Sequence, residues 1–216
     1  MTIGQSFLAA LEHEAAVTRK FLERLPEDRL TWKPHERSMS AGQLAYHLAT
    51  TPGQVVEMAS KDDAVAPDFS QGNPQPTSVK EVLEAPERSV QAVKQLLPKL
   101  DDTAMERTWR ALKDGREMIA MPRVVFLRNI MLNHWYQHRG QFSVYLRLMG
   151  QKVPASYGPS ADEMPEFMQQ KAAVSWPATN VWPRACGARW RGARAWRSAA
   201  CSAESASCST ATCAAA

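Results

Sequence analysis

The first 170 residues contain no cysteine, since all four cysteines of this 216-residue chain (Cys186, Cys201, Cys208 and Cys213) lie beyond them. A disulfide framework is thereby excluded from that region, and the C-terminal cysteines lack the paired C-x-x-C spacing of a zinc ribbon or a redox motif. Long apolar runs are also missing: no stretch reaches the roughly 18 residues a membrane-spanning helix needs. The N-terminus, MTIGQSFLAALEHEAA, carries acids where a secretory signal has a basic segment, so a cytoplasmic protein without a membrane partner is expected. Excess charge of one sign is absent as well. Residues 1–170 hold 20 Lys and Arg against 21 Asp and Glu, which leaves no basic face for nucleic acid.

The overall charge of +4 belongs to residues 171–216, with 6 basic residues against 1 acidic. That segment has 15 alanines and four of the seven tryptophans but no Leu, Ile, Met, Phe, Tyr, His or Asp. Without a periodic apolar face it cannot bury enough surface to offset the entropy of ordering, and disorder is expected. An Arg/Trp arm for an anionic membrane or RNA is the functional alternative. The Ala/Arg/Ser/Cys/Trp bias is what GC-rich DNA translated out of frame would give. The chain is therefore read as a domain over 1–170 followed by a low-complexity tail over 171–216.

Within the domain, apolar residues recur at helical spacing in four stretches. Leu8, Leu11, Ala15, Leu22 and Leu25 mark a first helix from Gln5, with Ser6 as its cap. Ser40-Ala-Gly-Gln43 is a capping box that opens a second helix through Leu44, His47, Leu48, Val55, Val56 and Ala59, with Pro52 as a source of a kink. Residues 61–76, with three prolines and no period, read as loop. Ser78-Val-Lys-Glu81 opens a third helix ending near Leu97, its first turns obscured by Pro86. Residues 101–121 suggest a short hairpin turning at Asp114-Gly115. Pro122 then starts a fourth helix that stops at Gly150 and is about 42 Å long at 1.5 Å per residue. Four amphipathic helices predict an all-α bundle.

Five histidines occur, and His134 and His138 lie four apart on the fourth helix. Four residues leave the two imidazoles about 40° apart and about 6 Å along the axis, a spacing that lets both reach one metal. The helical protease motif H-E-x-x-H is excluded, because Trp135 stands where its glutamate is required. His47 occupies a core-facing place between Leu44 and Leu48, where a buried imidazole wants partners for both nitrogens. One histidine from the second helix and two from the fourth would form a three-nitrogen site with an open position. The alternative is a satisfied core histidine beside exposed ones. His13, between Glu12 and Glu14, reads as solvated, and His35 lies in the loop before the second helix. Arg139 reads as a salt-bridge or dimer residue and Gln141 as pointing away from the ligands. Trp32, Trp109 and Trp135 read as packing residues.

Three stretches together resemble the DinB/YfiT-like metalloenzymes: Ser40-Ala-Gly-Gln-Leu-Ala-Tyr-His47-Leu-Ala, the run Pro122–Gly150 containing His134-Trp-Tyr-Gln-His138-Arg-Gly-Gln141, and the following KVPASYGPSADE. The resemblance spans about residues 5–169 and none of the tail. It implies an up-down-down-up four-helix bundle, commonly a homodimer, that binds a divalent metal through His47, His134 and His138. It also implies that Tyr157 and Gly158 close one end of the pocket.

Three neutral imidazoles leave a bound cation its full charge, which acidifies a coordinated thiol or water. One expected chemistry is transfer of a low-molecular-weight thiol, such as bacillithiol or mycothiol, to a small electrophilic substrate. A second is hydrolysis of a small amide or ester, for which a nearby acid or base is needed; Glu12, Glu14 and Glu57 are candidates. A third reading is a metal-binding dimer without catalysis. Zinc is the first expectation for the metal, and nickel, copper, iron or manganese also suit the donors.

Overall fold

The computed structural model describes residues 1–164 apart from positions 69 and 71. The disorder expected for residues 171–216 and the boundary at 170 lie outside the described residues.

Helix α1 (Ile3–Leu22) starts three residues before the expected cap. Thr2 Oγ1 accepts from the Gln5 amide and Gln5 Oε1 accepts from the Thr2 amide, so Thr2-x-x-Gln5 forms the reciprocal box that Ser6 cannot, having Ala9 three places on. Its buried face is also rotated relative to the expectation: Phe7, Leu11, Glu14, Thr18, Phe21 and Leu22 point inward, placing two polar side chains in the apolar stripe.

Helix α2 (Ala41–Ala59) is capped as expected, Ser40 and Gln43 exchanging bonds of 3.1 and 3.0 Å. Helix α3 (Val79–Leu96) runs through Pro86; Ser78 caps it, but the Glu81 carboxylate turns to the Thr77 amide instead of closing the box. A short α4 (Asp102–Glu106) follows, capped by Asp101.

The all-α expectation holds in part: the chain is mostly helical, but the expected hairpin is joined by a further strand into a three-stranded sheet. β1 (Asp63–Val65) lies in the stretch read as loop and pairs in parallel with β2 (Thr108–Lys113), which pairs antiparallel with β3 (Arg116–Pro122). Three residues are too few to display a period of two, and the hydrogen bonds that make β1 a strand come from residues over 40 positions away, Ala64 facing Ala111. The hairpin itself turns where expected: Asp114 and Gly115 take φ values of 52° and 74°, the left-handed pair of a two-residue turn.

The last expected helix is present in three consecutive pieces, α5 (Arg123–Phe126), a π-helical segment (Leu127–Asn133) and α6 (His134–Leu148). Gly150, at φ 77°, supplies the left-handed residue that ends it. Helix α2 packs on α3 and α6, and α1 on α3 and α6. The fully buried side chains between them include Leu11, Leu22, Leu44, Leu48, Met131 and Phe142, each contributing roughly 1.5–3 kcal/mol by leaving water. Trp109 stacks on Phe126 at 3.8 Å and donates to the Met58 carbonyl, tying the sheet to α5 and α2.

Candidate metal centre

The meeting of α2 and α6 follows from a proline. Pro52 has no N–H to give to the carbonyl four residues earlier, so the Leu48 carbonyl, buried within α2, is left without its helical partner. The indole N–H of Trp135 fills that place at 2.8 Å. A residue that blocks helical bonding on α2 thus creates the acceptor that anchors α6 next to His134. The following residue, Gly53, lets α3 come close: its amide donates to Ser89 Oγ at 2.7 Å, and a Cβ there would lie 2.9 Å from the Ser89 Cα.

Anchored in this way, the two helices bring together all three histidines singled out in the sequence. One ring nitrogen from each of His47, His134 and His138 lies within 4.8 Å of the other two. The Nε2 atoms of His47 and His134 are 3.0 Å apart, and the rings stand edge to face with centroids separated by 4.3–5.3 Å. All three side chains are half-buried. Burial, then the neighbouring His138 and His134, push the His47 imidazole from 6.5 down to about 4, against a hydrogen bond with Asn73 that favours its protonated form. His134 is lowered by the same causes, burial first and His138 second. Three imidazoles this close cannot all hold protons. At neutral pH, His47 is a neutral lone-pair donor, the form in which imidazole binds metals.

Two partners escaped sequence reading. Gln141, expected to point away, contacts His138: its Oε1 is 2.9 Å from the ring Nδ1. A residue three positions on is a helical neighbour, so the i, i+3 rule contained this signal. Asn73 comes from the loop and had none. Its backbone carbonyl accepts from Gln43 Nε2 at 2.8 Å, and the neighbouring Gln75 accepts from Ser40 Oγ at 2.6 Å. The capping box of α2 therefore also holds this loop beside His47.

Arg139, one residue after His138, faces the other way. It is 2% exposed, pairs with Glu14 of α1 at 2.6 Å and donates to Thr18 Oγ1 at 3.2 Å. Tyr157 contacts this pair, its ring lying 5.0 Å from the Arg139 guanidinium and 6.0 Å from Tyr136. Burial raises the Tyr157 phenol to about 12, with the Glu14 carboxylate also acting in that direction. His13 and His35 are exposed, and His35 Nδ1 accepts from the Arg37 amide. Trp109 and Trp135 are buried, and Trp32 packs edge to face on Tyr145 at 5.7 Å. Of the carboxylates considered as bases, Glu12 pairs with Lys94, Glu14 with Arg139, and Glu57 is exposed. Among the described residues, the cluster contains imidazoles alone.

A largely helical chain that gathers three histidines from two helices defines a class of small helical proteins with a candidate metal centre. The chain belongs to the DinB family, whose sequence pattern matches residues 1–172. It is similar to the uncharacterized protein YrdA of Bacillus subtilis strain 168, with 28% identity over 163 residues, covering 74% of this chain and 92% of that one. Among solved structures it is similar to a DinB-like protein of Bacillus cereus, at 25% identity and TM-score 0.56, covering 71% of this chain and 97% of the other. The fold is also that of the DinB-like protein YjoA of Bacillus subtilis, at TM-score 0.55 and 19% identity, covering 74% of this chain and 99% of the other. No helix among the described residues is long and apolar enough to cross a membrane.

Proposed function

We propose that His47, His134 and His138 hold one divalent metal, zinc first, with nickel, copper, iron or manganese as further candidates, and that the protein is a thiol S-transferase. The observation that carries this reading is the convergence of three ring nitrogens in a cluster that, among the described residues, includes no carboxylate. The donor set fits such a cation: three neutral nitrogens match the borderline-soft metals and leave a position for an exogenous ligand. When bound, the metal supplies Lewis acidity that turns a coordinated thiol into thiolate.

The chain's own groups do the rest. Burial and then the neighbouring imidazoles, His138 first, disfavour the protonated forms of both His47 and His134. Glu14 is neutralised by Arg139 and Glu12 by Lys94, which withdraws two candidate bases from hydrolysis and favours a nucleophile that needs none once ionised. The first 170 residues have no cysteine, so the thiol comes from solution as a small molecule. Its sulfur forms a bond to an electrophilic carbon, and the electrons of the breaking bond leave with the displaced group or the opened epoxide oxygen.

The helices are proposed to form an up-down-down-up bundle that pairs as a homodimer in the cytoplasm, without nucleic-acid or membrane partners. Val144 and Leu148, 55% and 59% exposed on α6 near the open face of Gly140, support the pairing. Elemental analysis tests the metal: one equivalent in the wild type and none in the triple alanine variant. An electrophile panel with and without bacillithiol, mycothiol or glutathione tests the chemistry. Turnover of an ester or amide without thiol, abolished by His138→Ala, would replace the transferase with a hydrolase. Metal binding with no turnover in any assay would make the protein a non-catalytic metal-binding dimer.

A further inference from the structure

A histidine can bind a metal only through a nitrogen that carries no proton, and the hydrogen bond made by the other ring nitrogen decides which one that is. His138 has such a bond to a side-chain amide. Gln141 stands one turn beyond His138 on the same helix, with its Oε1 2.9 Å from Nδ1. A carbonyl oxygen only accepts, so Nδ1 must donate and the lone pair of His138 is confined to Nε2.

We infer that Gln141 is a positioning residue, which fixes the tautomer of His138 so that its lone pair points into the cluster before any metal arrives. This rests on the metal-centre reading above, but the pre-set tautomer is a property of the metal-free chain and is measurable without metal. The sequence alone would not show it: the motif His138-Arg-Gly-Gln141 displays the pair but not the direction of its bond.

The experiment uses the full chain with 15N-labelled histidine. Two-bond 1H–15N spectra of the metal-free protein at pH 7.5 should show His138 as the Nδ1–H tautomer in the wild type and in Gln141→Glu, whose carboxylate also accepts. In Gln141→Met, which keeps the length and removes the acceptor, His138 should move toward the Nε2–H form. Zinc titration against a chromophoric chelator should then give a Kd raised about 10–100-fold in Gln141→Met, with Gln141→Glu near the wild type. A Gln141→Met protein with an unchanged His138 tautomer and an unchanged Kd would overturn the inference. If the wild type binds no zinc, the metal-centre reading fails on its own, while the tautomer spectra still decide whether Gln141 orients the ring.

Discussion

His138 and Arg139 are neighbours in the chain, yet α6 turns them toward opposite kinds of environment. Arg139 is buried against α1, where Glu14, Thr18 and Tyr157 meet its charge. His138 is half-buried against α2, where its ring stands edge to face with those of His47 and His134. On one side polar groups are paired within the protein. On the other, three ring nitrogens converge on one another in a group that, among the described residues, includes no carboxylate or thiol. A buried charge persists only when it is matched, so the Arg139 side is built for the integrity of the fold. Lone pairs left converging lower stability and are retained where something outside the chain is to bind.

The largest effect expected from breaking this contrast is on the paired side. Arg139→Met leaves Glu14 as an uncompensated buried carboxylate and should cost about 3–5 kcal/mol in urea unfolding, whereas Glu14→Leu with Arg139→Met should recover most of it. The corresponding change on the other side, His138→Ala, should leave the metal-free protein as stable or more stable. A second measurement adds zinc: at 100 times its Kd the wild type should gain about 2.7 kcal/mol, and the triple histidine variant nothing.

Acid titration sharpens the same contrast. The His47 imidazole titrates at about 4 in the folded protein against 6.5 when unperturbed, so the unfolded chain takes up its proton first. Stability from this group is therefore intact above pH 6.5 and is lost as the pH falls toward 4, on the order of 2 kcal/mol in total. Denaturation midpoints of metal-free protein across that window should fall, and His47→Gln should flatten the curve.

A smaller effect is expected at the anchor between the helices. Trp135→Phe removes the donor to the Leu48 carbonyl and should cost about 1–2 kcal/mol. Pro52→Ala supplies a competing helical N–H, so in that background the same substitution should cost less than half as much. Equal costs would mean that the proline does not create the acceptor. The smallest effect is predicted for removing residues 171–216, whose composition promises no packing: the change in stability should stay within about 0.5 kcal/mol, with zinc stoichiometry unchanged.

Much of this was legible in the chain because the signals are local. The capping box at Ser40-Gln43, the turn at Asp114-Gly115, the stop at Gly150 and the pair His134/His138 each depend on residues a few positions apart. His47 could be added because its apolar neighbours gave its face. What stayed hidden depends on distant partners. β1 is a strand because of Arg110–Leu112, and Glu14 is buried because Arg139 lies 125 residues further on. Asn73 joins the site because Gln43 holds its backbone. The sequence reading placed Gln141 by helical angle, which ignored how far an amide side chain reaches across one turn.

The π-helical segment between Leu127 and Asn133 carries a consequence for descent and for engineering. Each of its bonds spans one residue more than an α-helical bond, so the segment stores surplus chain length inside a continuous helix. Losing one residue there would let the stretch rewind as α-helix while α5 keeps its hold on the sheet and α6 its hold on α2. The region is thus a place where a one-residue deletion can be absorbed without moving His134 and His138 off His47. A deletion of the same size between His134 and His138 would rotate everything beyond it by about 100° and take the two histidines off a common face.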